Sequence, residues 1–157
     1  NKFIINFTPT GMVPSKEMNQ HVPISPDEII TEVLEAENME YQLFTCTPEM
    51  RWAIQVGNNV FTKKLSMQYV RLMAIQMNPH NLCVNIGKNQ LPINVSAIIN
   101  GGGIRIGLED NIYFDEEKKV QASNLQLLER INKLGKLLNK VPFTPKEVRE
   151  MLAIQIA

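Results

Sequence analysis

Three ionisable side chains fall within six residues of one another: Arg105, Glu109 and Asp110, in the stretch IINGGGIRIGLEDN at 98–111. A guanidinium grips a carboxylate through paired N–H···O bonds. A carboxylate can hold a cation or move a proton. Read as a strand, GIRIGLED puts Ile104, Ile106 and Leu108 on one face and Arg105, Gly107 and Glu109 on the other. Arg105 and Glu109 would then stand ~13 Å apart, with open space at Gly107 and with Asp110 at the strand's end. In a parallel α/β protein, strand C-termini are where sites are built. The same residues also read as an internal ion pair followed by an Asp-Asn turn.

Other candidate chemistry is thin. Gly101 to Gly103 precede a strand rather than joining a strand to a helix, so they suit a helix stop and not a phosphate cradle. His21 and His80 are far apart in proline-containing loops, and no His-x-His or Cys-x-x-Cys occurs. Cys46 and Cys83 sit in apolar strand-like segments, as structural thiols do. The run DEEKK (115–119) reads as a solvated turn.

The elements that must position Arg105 and the acids alternate in type. FIINF (3–7) reads as a buried strand, followed by a long loop with three prolines, TPTGMVPSKEMNQHVP. Ser25, Pro26 and Glu28 open a helix as a capping box. YQLFTC (41–46) suggests a strand, and 47–56 and 65–77 suggest helices. LCVNIG (82–87) is a strand and LPINVSAIIN (91–100) a helix ended by Gly101. After the GIRIGLED strand, Ser123 with Gln126 and Thr144 with Glu147 open two more capped helices. Strands alternating with helices predict an α/β fold with a parallel sheet.

The 157 residues suffice for one domain with a real core, and 44% are hydrophobic. Sixteen basic residues balance sixteen acidic ones, which argues against nucleic acid or a membrane surface as partner. No apolar run approaches the length of a spanning helix, and the start, NKFIINFTPT, lacks the pattern of a signal peptide. Two cysteines form no disulfide framework, which points to a reducing, cytoplasmic setting.

Two stretches carry a resemblance. INFTPTGMVPSKEMNQHVPISPDEI resembles the opening of the β-keto acid cleavage enzymes, the family typified by 3-keto-5-aminohexanoate cleavage enzyme. GGGIRIGLEDNIYFDEEKKVQASNLQLLERI, followed by TPKEVREML, resembles the family's closing strand and terminal helices. The resemblance implies a (β/α)8 TIM barrel, here a single partial domain over 1–157 lacking the second to fourth strands. It implies a zinc enzyme that reacts a β-keto acid with acetyl-CoA to give acetoacetate and an acyl-CoA, in a symmetric homo-oligomer. By position, Glu109 matches a zinc ligand, Asp110 the general base, and Arg105 the residue that holds the substrate carboxylate. The family's His-x-His zinc ligands have no counterpart, and Val13 stands where some members carry an acid. The main break in the match follows Ala36, and EYQLF matches the fifth strand weakly. The alternative is a non-catalytic barrel remnant that serves as a binding or assembly protein.

Overall fold

A computed structural model describes residues 2–11, 13–38, 43–44, 82–83 and 87–151. The strands are β1 (Lys2–Phe3), β2 (Ile5–Phe7), β3 (Leu43–Phe44), β4 (Leu82–Cys83), β5 (Gly103–Ile106) and β6 (Val141–Pro142). The helices are α1 (Pro26–Asn38), α2 (Gln90–Asn100), α3 (Asn124–Leu137) and α4 (Pro145–Met151), with a 3-10 turn at Gly87–Asn89. One sheet runs β3-β2-β5-β4 and a second ladder joins β1 to β6; every pairing is parallel. The expected parallel α/β organisation is present, and the described strands do not form a closed barrel.

Parallel strands are covered on both faces and so carry continuous apolar runs. In β2, Ile5 and Phe7 are fully buried and so is Asn6 between them. The core joins Phe3, Ile5 and Phe7 to Ile104 and Ile106 of β5, Ile98 of α2, and Leu127, Leu128 and Ile131 of α3. The periodic apolar positions of α3 face inward, as its spacing predicts.

The three expected helix starts are built as the sequence suggests. Ser123 Oγ accepts the Gln126 N–H while Gln126 Oε1 accepts the Ser123 N–H. The Ser25–Glu28 and Thr144–Glu147 pairs repeat the arrangement. Each satisfies N–H groups that a helix N-terminus would otherwise leave unpaired. Gly101 ends α2, its N–H directed at the Ala97 and Ile98 carbonyls.

Several boundaries differ from expectation. The 3–7 strand is split at Ile4, because β1 turns aside to pair with β6 while β2 joins the main sheet. Gly87 begins the 3-10 turn rather than ending a strand. The strand expected over 41–46 is described only at 43–44, and the helices expected over 47–56 and 65–77 lie outside the described residues. Among the described residues, no helix is long and apolar enough to cross a membrane.

Candidate active site

β5 stops at Ile106, earlier than its alternation suggests, and Gly107 to Asp110 form a turn. The cause is a close approach from the neighbouring strand. Gly107 has φ 150°, and a Cβ there would lie 1.9 Å from the Thr8 carbonyl oxygen. The space read as open at Gly107 is therefore filled by the Thr8 backbone. Thr8 N–H donates to the Ile106 carbonyl at 2.8 Å, and the Glu109 N–H approaches the Thr8 carbonyl at 3.3 Å. The two strand ends are thus stitched together just where the turn begins.

The turn brings together side chains that a straight strand would hold apart. Arg105 Nε donates to Asp110 Oδ2 at 2.8 Å, and Arg105 Nη2 lies 3.0 Å from Glu109 Oε2. The ~13 Å separation of a continuous strand is replaced by an ion pair. The Arg105 and Glu109 side chains are 18% and 16% exposed, whereas that of Asp110 is 3% exposed. Asp110 therefore sits behind the other two. Thr8 Oγ1 lies 3.2 Å from both Asp110 Oδ2 and the Ile106 carbonyl. A hydroxyl has one proton, so it donates to one of these acceptors at a time.

Glu109 Oε2 meets the guanidinium by charge proximity rather than by a well-aligned hydrogen bond. Burial pushes the Glu109 carboxyl up; Arg105 pulls it down, and the Asp110 charge pushes it up further. Desolvation is the largest of these influences on Glu109.

The frame around this triad comes from residues that carried no signal in the sequence. From α2, Asn94 Nδ2 donates to the Arg105 carbonyl at 2.9 Å and Gln90 Nε2 to the Gly107 carbonyl at 3.4 Å. Gly87 N–H donates to the Asp110 carbonyl at 2.7 Å. Asn124, the first residue of α3, accepts the Leu108 N–H at 2.9 Å and donates to the Pro9 carbonyl at 2.9 Å. It ties the loop after β2 to the turn after β5. Asn19, farther along the same loop, donates to the Ile112 and Ala122 carbonyls, both at 2.8 Å. The long loop is thus pinned at Asn19 and, through its Pro9 carbonyl, by Asn124.

The structure places Arg105, Glu109 and Asp110 together, and Thr8 is the side chain that sequence reasoning missed. His21 is exposed in the loop, Val13 is exposed, and His80 lies outside the described residues. Among the described residues no three His, Cys, Asp or Glu side chains cluster as a metal would need. Glu109 offers one carboxylate, and that carboxylate is turned onto Arg105. These residues do not by themselves make a zinc site.

Two adjacent parallel strands thus carry an arginine, two acids and a threonine at their C-terminal ends. The beta-keto acid cleavage enzyme family matches residues 2–39 and 47–154, and the chain belongs to that family. It is 46% identical over 70 residues to the 3-keto-5-aminohexanoate cleavage enzyme of Acetoanaerobium sticklandii, covering 44% of this chain and 25% of that protein. It is 37% identical over 70 residues to the enzyme of the same name from Fusobacterium nucleatum, covering 45% and 25%. It is 34% identical over 70 residues to a 3-dehydrocarnitine:acetyl-CoA trimethylamine transferase of Rhizobium meliloti, covering 45% and 23%. The match spans about a quarter of the length of these curated relatives.

Proposed function

We propose that this chain is part of a (β/α)8-barrel enzyme that reacts a β-keto acid with acetyl-CoA, giving acetoacetate and a new acyl-CoA. The observation that carries this reading is the convergence of Arg105, Asp110 and Glu109 beside Thr8, at the C-terminal ends of adjacent parallel strands. The strand order supports it too. The early strand β2 pairs in parallel with β5, which lies late in the chain, as the first and last strands of a closing barrel do.

Arg105 is the anchor for the substrate carboxylate. Its Nε stays with the buried Asp110, while the incoming carboxylate takes the place of Glu109 at Nη2. Glu109 is the partner that yields, because it is the more exposed of the two acids and makes no aligned hydrogen bond to the guanidinium. Asp110 takes a proton from the carbon between the substrate's ketone and carboxylate. The carbanion attacks the acetyl thioester carbon and the coenzyme thiolate leaves. The thiolate then adds to the original ketone carbon, and the bond between that carbon and its neighbour breaks. The departing carbon recovers its proton from Asp110, which leaves acetoacetate and the acyl-CoA. The family resemblance gives Glu109 a place in a zinc site, whose further ligands would come from outside the described residues.

The test is product analysis. The full-length protein is incubated with acetyl-CoA and a panel of β-keto acids, and mass spectrometry follows the coenzyme esters. An acyl-CoA bearing the substrate's own acyl group, formed one for one with acetoacetate, is the expected result. A folded protein that exchanges nothing across the panel contradicts the reading.

A further inference from the structure

The loop after β2 passes directly over the Glu109 side chain at one residue. A Cβ placed on Gly11 would lie 2.5 Å from Glu109 Cγ and 2.7 Å from both Cδ and Oε1. Real Cβ atoms do not approach side chains that closely, so a larger residue at 11 would force Glu109 or the loop to move. The loop has little room to give. On one side of Gly11, the Thr8 and Pro9 carbonyls are held by the Glu109 N–H and by Asn124. On the other, Asn19 is fixed to the Ile112 and Ala122 carbonyls. Thr8 and Thr10 are buried, so the backbone on the near side is also locked by packing.

We propose that Gly11 is a positioning residue: its missing side chain is the space in which the Glu109 carboxylate lies, and it thereby sets that carboxylate opposite the Arg105 guanidinium. Glu109 is boxed between the loop backbone on one side and the cation on the other. With Ala at 11, the Glu109 side chain is the group that the new methyl would displace. The consequence for turnover rests on the function proposed above; the packing relationship does not.

A double-mutant cycle separates the two. Gly11→Ala, Glu109→Ala and the double variant are made in the full-length protein, and folding equilibria are measured by urea denaturation. Glu109→Ala removes all three atoms that the new methyl group would strike. Gly11→Ala should lower the folding equilibrium constant at least ten-fold in the natural background. In the Glu109→Ala background the same change should alter it less than two-fold, or raise it, because alanine restricts the unfolded chain. If Gly11→Ala alone does not fold, the double variant should restore folding. Equal losses in both backgrounds, no loss in the natural one, or no recovery in the double variant overturns the proposal. In the acetoacetate assay, Gly11→Ala should lower KM for the β-keto acid several-fold, because the carboxylate that competes for Arg105 Nη2 has already been moved aside, and leave KM for acetyl-CoA within two-fold. If the cycle shows coupling but no variant, nor the natural protein, forms acetoacetate, the positioning of Glu109 by Gly11 stands and the proposed reaction falls.

Discussion

Arg105 and Asp110 form a charged pair, Nε to Oδ2 at 2.8 Å, in which the carboxylate is 3% exposed and the guanidinium 18%. Removing one member of such a pair leaves an uncompensated charge away from water. Replacing Arg105 by Met keeps the length and removes the charge. The variant should lose about 3 kcal/mol of stability, read as a lower urea midpoint with an unchanged slope. Adding Asp110→Asn should recover part of that loss, since the orphaned charge is gone. A midpoint within error of the natural protein would show that the pair contributes nothing.

Asn124 should matter as much, although it touches none of the ionisable groups of the triad. Its amide closes both the Leu108 N–H and the Pro9 carbonyl in a fully buried place. Asn124→Ala strands both partners, and each buried unpaired group costs about 1–3 kcal/mol. A loss of about 3 kcal/mol in denaturation is expected; a loss below about 1 kcal/mol would mean that water replaces the amide easily.

Two glutamates on α1 should respond to pH in opposite senses. Glu28 is lowered from 4.5 to about 2, first by its contact with Lys16 and then by the Ser25 and Ile24 N–H groups that it caps. A lowered folded value means that its contribution is whole above pH 4.5 and fades as pH falls towards about 2. Glu32 is raised above 4.5, chiefly by burial, with the Asn124 amide partly offsetting it. A raised folded value favours the protonated native state, so that contribution is present below pH 4.5 and is lost as pH rises through the folded value. Glu28→Gln should therefore flatten the acid arm of the stability profile. Glu32→Gln should increase stability at neutral pH. Urea midpoints across the acid to neutral range check both signs.

What the sequence made legible was local. The capping pairs at Ser25, Ser123 and Thr144 depend on residues three apart, and all three helices start there. Gly101 ends α2 for the same kind of local reason. The end of β5 was misread because it is decided by Thr8, at the opposite end of the chain, whose carbonyl fills the space beside Gly107. That one contact converts a straight strand into a turn and a long separation into an ion pair. Thr8, Asn94, Asn124 and Gly11 were silent for the same reason: each acts on a partner that only the parallel pairing of β2 and β5, or the packing of α2 and α3, brings near. The family resemblance pointed to Arg105, Glu109 and Asp110, but not to the closed arrangement in which the two acids share one guanidinium.

Arg105 is the group proposed to receive the substrate carboxylate. The direct measurement is steady-state kinetics of acetoacetate formation by full-length Arg105→Ala protein, with the two substrates varied in turn. KM for the β-keto acid should rise at least ten-fold and kcat should fall, while KM for acetyl-CoA changes little, because only the keto acid brings its carboxylate to this guanidinium. An active natural enzyme whose Arg105→Ala variant keeps the same KM for the β-keto acid would contradict the account.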